Sequence, residues 1–289
     1  MGELLAILSA AFYGLAGVTI AKGRHDSKGD NGVFLSVVVT ALLSFFLWKG
    51  SEATQQNVIA QEIWIVAVML FAAAGLFSTV LGRITMYRST ELIGSVGASM
   101  TRRLIPIFAI PISILLIREW PVSNDLVGGL LIFFGVFVFC ARRGQLELSK
   151  GLLLGIASAA CYALSYVLRR AGLEDLADPA FATFIGAATG LLVFLGLALV
   201  ANNPREKLHY MTIDRGIWPL CTATSLAIGQ TLQLYALQTA SVAIVAFIGS
   251  IDILFTTLFA ALLMGDKNIR SLRFLLAILF VLAGSAFLV

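Results

Sequence analysis

The chain has 289 residues, of which 59% are hydrophobic and only 12% are charged, and its formal net charge is +4. Soluble domains carry about 25% charged residues, so this composition excludes a water-soluble fold and indicates a protein that lives in a lipid bilayer. The positive charge does not indicate nucleic-acid binding, because the basic residues lie mainly at the ends of apolar segments, where membrane proteins need them.

Apolar segments long enough to cross a hydrocarbon core of about 30 Å recur along the whole chain. We predict ten transmembrane helices, at 3–21, 32–48, 62–87, 92–117, 125–141, 150–169, 179–201, 215–237, 241–264 and 271–289. The first segment lacks the basic region of a cleavable signal peptide, so we expect it to be retained as a helix. The predicted fold class is therefore an all-α integral membrane protein.

The two halves of the chain resemble each other. Residues 9–23 and 158–172 are identical at seven of fifteen positions, SAAFYGLAGVTIAKG against SAACYALSYVLRRAG. The segments MYRST and LYALQT, and the turns after the fourth and ninth helices, align at nearly the same offset. Since five crossings are an odd number, we predict two inverted five-helix repeats, 1–145 and 146–289, in one membrane domain. Inverted repeats are typical of secondary transporters, which bind substrate near the midplane.

The basic residues predict the orientation of the chain. The links after the first, fifth, seventh and ninth helices hold twelve of them: Lys22, Arg24, Lys28, Arg142, Arg143, Lys150, Arg205, Lys207, Arg215, Lys267, Arg270 and Arg273. The opposite face has Lys49, Arg118, Arg169 and Arg170. By the positive-inside rule we expect the twelve in the cytoplasm and both termini outside, in a bacterial inner membrane.

Charges inside the apolar segments are the strongest candidates for a functional site, because a charge near the bilayer midplane costs several kcal/mol unless it is compensated. Arg102 and Arg103 lie near the centre of the fourth helix, and Asp252 lies at the centre of the ninth. The repeat offset puts these opposite charges at the same depth in the two halves.

Two interpretations of these charges are open. In the first, Asp252 and one arginine form a structural ion pair that offsets their desolvation. In the second, the arginines face a polar cavity and bind a substrate carboxylate or phosphate, while Asp252 takes an ammonium group or a coupling proton. Neighbouring residues on a helix point about 100° apart, so Arg102 and Arg103 cannot both face the centre.

Other polar residues near the helix centres complete the predicted substrate site. Tyr13 and Tyr162 occupy equivalent positions of the two repeats, and each phenol hydroxyl needs a partner that lipid cannot supply. Gln230 and Gln233 make the eighth helix polar, and bonds to other helices explain them as well as substrate contact does. Pro106 removes a helical hydrogen bond close to the arginines, so we predict a hinge there.

The sequence favours neither an enzyme nor a metalloprotein. The histidines His25 and His209 both lie in predicted links, and HExxH, GxSxG and nucleotide-binding motifs are missing from the sequence. Cys140, Cys161 and Cys221 occur singly without metal-ligand spacing, so we predict free thiols. We therefore expect no catalytic residues, no metal and no cofactor.

These features together resemble the drug/metabolite transporter superfamily, in its EamA-type branch. The residues that carry the resemblance are the YRST and YALQT turns, the proline in helix four, the acidic residue closing that helix and the following GGLLIFFGVFVF segment. The resemblance implies alternating access for small metabolites, commonly amino-acid or drug export, sometimes coupled to protons. The Arg102–Arg103 pair, Asp266 in place of a commoner Glu, and external termini depart from the family pattern.

We therefore predict a secondary active transporter of a small metabolite that carries a carboxylate or phosphate, with an amino-acid-like exporter favoured. The alternatives are a flippase for an anionic lipid or lipid-linked phosphate, and a membrane accessory subunit that transports nothing. The expected partners are the bilayer, the small-molecule substrate and protons as candidate coupling ions, and the protein is expected to be a monomer or homodimer.

Overall fold

The structure is a computed structural model that describes residues 1–50, 61–140, 149–265 and 272–288. The predicted boundary between the repeats, at residues 145 and 146, lies outside this part of the chain. The regular elements are α1 (Gly2–Gly23), α2 (Val33–Gly50), α3 (Gln61–Gly75), a π-helical segment (Leu76–Gly82), α4 (Arg83–Arg102), α5 (Leu104–Ile117), α6 (Ser123–Cys140), α7 (Lys150–Asp175), α8 (Pro179–Leu199), α9 (Pro204–Thr212), α10 (Ile217–Thr239), α11 (Val242–Gly249), α12 (Asp252–Met264) and α13 (Leu272–Leu288).

The predicted ten-span, all-helical membrane fold is confirmed. Six stretches are long and apolar enough to cross a bilayer by length and composition: α1, α2, the continuous stretch from α3 to α4, α7, α8 and the pair α11 and α12. The other spans are made by shorter or more polar helices. Two predictions need correction. Helix α7 continues to Asp175 instead of ending at residue 169, and the predicted link 202–214 contains the short helix α9.

Several helix ends have a clear local cause. The Asp178 side chain accepts a hydrogen bond from the Phe181 amide and precedes a proline at the first position of α8. Helices α5 and α12 both end in a left-handed residue, at Arg118 (φ 54°) and Gly265 (φ 72°). Arg118 and Gly265 begin the turns after the fourth and ninth predicted helices, which align between the two halves. The similarity of the halves therefore includes the backbone conformation of these turns.

The packing of the helices is reciprocal between the two halves. Helix α1 packs on α10 and α12, and its counterpart α7 packs on α4 and α5. Helix α2 packs against its own counterpart α8, and α6 against α13. Each half therefore supplies the same surfaces to the other, as expected for inverted repeats related by a pseudo-two-fold axis.

The fourth span of each half is interrupted near its middle. In the first half, α4 is kinked at Gly94, whose φ of 76° favours glycine, and the fourth span consists of the part of α4 after this kink together with α5. The span is interrupted at Arg103, where α4 gives way to α5. In the second half, α11 gives way to α12 at Ser250 and Ile251, whose amides bond three residues back to Phe247 and Ile248. Short 3₁₀-type turns of this kind within a helix often mark functional hinges.

Candidate functional site

The two interruptions bring the predicted charges together. Arg102 is the last residue of α4, and Asp252 is the first residue of α12. A cation at a helix C-terminus and an anion at a helix N-terminus are both stabilised by the helix dipole. The ψ angle is −14° at Arg103 and also at Ile251, so the pseudo-equivalent helices are interrupted by similar geometry.

Arg102 and Asp252 form an ion pair between the two halves. The Nε atom of Arg102 lies 2.7 Å from Oδ2 of Asp252, and the side chains are only 7% and 1% exposed. The hydroxyl of Ser99 donates to Oδ1 of Asp252 at 2.9 Å. The expectation that opposite charges meet at one depth therefore holds for Arg102, and the site is closed to solvent in this conformation.

Tyr13 and Tyr162 enclose the Arg102 guanidinium. Its central carbon lies 4.5 Å from the centroid of the Tyr13 ring and 5.2 Å from that of Tyr162, within the range of cation–π contacts. These tyrosines aligned between the repeats, so each half supplies one ring to the same cation. The remaining edge of the guanidinium donates through Nη1 to Sδ of Met86 at 3.4 Å.

The two glutamines of α10 extend the polar network. Gln233 accepts a hydrogen bond from the Tyr13 hydroxyl at 3.2 Å and donates from Nε2 to the hydroxyl of Tyr166. Gln230 accepts one from Nη2 of Arg83 at 2.6 Å. Both glutamines thus make bonds between helices in this conformation, and both lie beside the charged residues.

Arg103 lies at the interruption between α4 and α5 and is buried, with 8% of its surface exposed. It directly follows Arg102, whose guanidinium lies against the rings of Tyr13 and Tyr162. Pro106 is three residues farther along α5 and is also buried. The interruption therefore lies where the predicted hinge was expected, while its movement remains a prediction.

Two further buried arginines were missed by the sequence analysis. Arg83 donates from Nη1 to the hydroxyls of Ser36 (3.0 Å) and Thr40 (3.3 Å), and Arg169 donates from Nη2 to the hydroxyl of Ser78 at 2.6 Å. Each arginine is 2% exposed.

The sequence contained a signal for one of these two residues. Arg83 is a charge inside the predicted apolar helix 62–87, but it lies only four residues from the end of that helix, whereas Arg102 was selected because it lies near a helix centre. The prediction that Arg169 lies at a membrane face was wrong, because the helix continues to Asp175, six residues beyond its predicted end at 169, and Arg169 is buried.

The end of the bundle where α7 finishes is closed by a polar latch, formed by Glu119 and Arg170. Nε of Arg170 lies 3.1 Å from Oε2 of Glu119, and its Nη1 donates to the carbonyl of Leu237 at 2.9 Å. Oε1 of Glu119 accepts the amide of Val242 at 2.6 Å. The latch ties the link after α5 to three helices of the other half.

The opposite end, where α7 begins, contains cavities. One of about 150 Å³ is lined by residues that include Tyr87, Arg88 and Lys207. A second, of about 640 Å³, shares Arg88 and reaches Lys150. Tyr87 is one helical turn from Arg83, so the first cavity ends close to the central network. The two ends of the bundle therefore differ, with a latch at one and cavities at the other.

Two aspartates organise the link between α1 and α2 at the cavity end. Burial raises the pKa of Asp30 to about 6, against the opposing effect of the amides of Phe34 and Gly32, which donate to it. Burial of Asp214 is outweighed by four donors from this link, including the amides of Lys28 and Asn31, so its pKa lies below the ordinary value.

Among the described residues, no group of three or more His, Cys, Asp or Glu side chains could hold a metal ion. Cys161 and Cys221 are free thiols. The side chain of Cys140 lies outside the described part of the structure.

Comparisons with known proteins place these observations in context. The model of the EamA-like transporter family matches residues 1–141 and 149–289. A solved structure titled "Crystal structure of protein" superposes with a TM-score of 0.69 at 14% sequence identity, covering 99% of this chain and 96% of the other. At that identity the likeness concerns the fold alone. No match was found among curated protein sequences.

Proposed function

Because the chain belongs to the EamA-like transporter family, we propose that it is a secondary active transporter of a small metabolite and works by alternating access. The substrate carries a carboxylate or a phosphate and binds at the interface of the two repeats, around Arg102. Amino acids belong to this class through their carboxylate.

The observation that carries this proposal is the environment of Arg102. Its Nε edge is held by Asp252, while its Nη1 donates to the thioether of Met86, which is a weak acceptor. A substrate oxygen that replaced the thioether would form a stronger, charge-assisted hydrogen bond. The flanking rings of Tyr13 and Tyr162 restrict the guanidinium to one plane, which suits recognition of a planar or tetrahedral oxyanion.

The difference between the two ends of the bundle supports alternating access. Opening toward the latch end requires the ion pair of Glu119 and Arg170 to break, while opening toward the cavity end requires movement near Tyr87. Both routes lead to the same central network. The interruptions at Arg103 and Ile251 are the positions where the fourth span of each half can bend.

The orientation inferred from the basic residues is part of the proposal. With Arg169 inside the bundle, the face that carries the termini keeps Lys49, Arg118 and Arg170, so the charge asymmetry is greater than the sequence count gave. We assign the cavity end to the cytoplasm of a bacterial cell and the latch end to the outside.

Energy coupling has Asp252 as its candidate residue. Since the sequence has no nucleotide-binding motif, the driving force is an ion gradient, exchange, or the gradient of the substrate. A proton on Asp252 would release Arg102 to the substrate, so protonation and substrate binding would be linked. Asp252→Asn should then abolish the effect of a pH gradient on transport while substrate still binds.

The test is counterflow in proteoliposomes with radiolabelled carboxylates and phosphates, comparing the parent protein with Arg102→Gln. Arg205→Gln is the control, because it removes an exposed arginine of α9 that is not in the lining of either cavity described above. We expect the parent and the control to exchange an anion and Arg102→Gln to lose at least tenfold in rate. Exchange of no anion by the parent, or equal rates in all three proteins, would contradict the proposal.

A further inference from the structure

The buried arginines Arg83 and Arg169 have an unusual set of partners. Their hydrogen bonds go to the neutral oxygens of Ser36, Thr40 and Gln230 for Arg83, and of Ser78 for Arg169. Within the described part of the chain, neither guanidinium forms an ion pair with a carboxylate. A buried cation without a counter-charge is costly, so a compensating anion is expected near it.

The charges of the central network do not balance. Four arginines are buried in this region, Arg83, Arg102, Arg103 and Arg169, and Asp252 is the one acid buried within the spans among the described residues. Asp252 is already used by Arg102. Arg83 and Arg169, which have no carboxylate partner among the described residues, therefore carry a surplus of two positive charges.

Unused hydrogen-bond donors lie in the same region. The Nε of Arg83, Nη1 of Arg169 and Nε2 of Gln230 are all buried and have no hydrogen-bond acceptor among the described residues. Buried donors are rarely left unsatisfied, because each costs about 1 to 3 kcal/mol. All three atoms are N–H donors, so together they match a ligand that offers several acceptor oxygens.

The helices connect these groups to the Arg102 site. Ser78, which bonds to Arg169, and Arg83, which bonds to Gln230, lie five residues apart on the continuous stretch from α3 to α4. Arg169 and Gln230 therefore contact the same stretch of helix. On α7, Tyr166 is one turn before Arg169 and accepts a hydrogen bond from Gln233. Gln233 in turn accepts a hydrogen bond from Tyr13, whose ring lies against Arg102. The donors therefore belong to the same network as Arg102.

We propose that Arg83 and Arg169, with Gln230, form a second anion-binding subsite and that the transported substrate is a small dianion, a phosphate monoester or a dicarboxylate. This inference rests on the proposed function and narrows its substrate class. A dianion balances the surplus of two charges, and its oxygens satisfy the three unused donors. A zwitterionic amino acid balances none of the surplus.

The test uses probes that differ by a single charge. Methyl phosphate and methyl sulfate have similar tetrahedral shapes, but above the second pKa of a phosphate ester, about 6, methyl phosphate carries two charges. Succinate and its monoamide form the corresponding pair for dicarboxylates, and glycine represents zwitterions. Binding to purified protein is measured by the concentration dependence of thermal stabilisation at alkaline pH.

We expect at least tenfold tighter binding of the dianion in one or both pairs, and the pair that shows it identifies phosphate or dicarboxylate. Arg83→Gln and Arg169→Gln should each lose this preference, while the control Arg205→Gln should keep it. Because each central variant removes an uncompensated buried charge, we also expect its ligand-free melting temperature to equal or exceed that of the parent. A purely structural arginine would give a lower melting temperature.

The possible failures can be distinguished. Equal affinity for the two members of both pairs, or a dianion preference that both central variants retain, would overturn the inference and leave the proposed anion transporter intact. No stabilisation by any probe, together with no counterflow of any anion, would contradict the proposed function itself. If a glutamine variant does not fold, Arg83→Lys and Arg169→Lys keep the charge and should retain dianion binding at reduced affinity.

Discussion

Replacing Asp252 by Asn should destabilise the protein strongly. The substitution keeps the shape of the side chain and the bond from Ser99 but removes the charge that Arg102 faces at 2.7 Å. Removal of one partner of a buried ion pair costs about 3 to 5 kcal/mol, because the other charge stays buried without compensation. For a chain of this size, with about 2 °C per kcal/mol, the melting temperature should fall by roughly 6 to 10 °C.

Two comparisons isolate the ion pair. The exposed pair of Arg88 and Glu91 on α4 serves as the control, and Arg88→Gln should cost no more than about 1 kcal/mol. The double variant Arg102→Gln with Asp252→Asn leaves no charge unpaired between the two residues. We expect it to be more stable than the sum of the two single changes predicts, by about 2 to 3 kcal/mol.

The assay is reversible unfolding in mixed micelles, supported by melting temperatures of the four proteins of the cycle. The reasoning would be refuted if Asp252→Asn were as stable as the parent. It would also be refuted if the single changes added without coupling, since Arg102 and Asp252 would then not be interacting across the repeats.

Two other predictions concern the scaffold. Gly75→Ala should lower the free energy of unfolding by about 1 to 3 kcal/mol, because the added methyl would collide with the backbone of Gly186. In the control Gly196→Ala the methyl meets nothing within 4 Å, so the same unfolding assay should show unchanged or slightly higher stability. The raised pKa of Asp30, about 6 against an ordinary 3.8, predicts that stability falls by up to about 3 kcal/mol as pH rises from about 4 to 6, because the folded state disfavours the ionised form. Asp30→Asn should flatten this pH dependence, and an unchanged slope would show that another group causes it.

Much of the fold could be predicted from the sequence, because segment length, hydropathy and the odd number of spans per repeat each restrict the architecture strongly. The same is true of Arg102 and Asp252, since a charge in the middle of an apolar segment is visible without a structure. The alignment of Tyr13 with Tyr162 predicted two equivalent rings, and the structure adds that both contact one guanidinium.

The remaining features depend on packing that the sequence does not encode locally. The interruption at Ser250 and Ile251 follows Gly249 directly, and Asp252, the next residue, bonds to Ser99 and pairs with Arg102 of the other half. Arg169 resembled a residue at a membrane surface because the polar end of α7 was assigned to a link. Its burial depends on the packing of α7 against the π-helical segment, where Ser78 accepts a hydrogen bond from its guanidinium.

The central claim, that anions bind between the inverted halves, is tested most directly by locating a bound anion. Arsenate is a tetrahedral dianion at alkaline pH with a strong anomalous signal, so crystals soaked with it would reveal the position without ambiguity. The account predicts an anomalous peak between the guanidinium groups of Arg83, Arg102 and Arg169. Peaks confined to the cavity beside Arg88 and Lys207, with none in the central network, would contradict it.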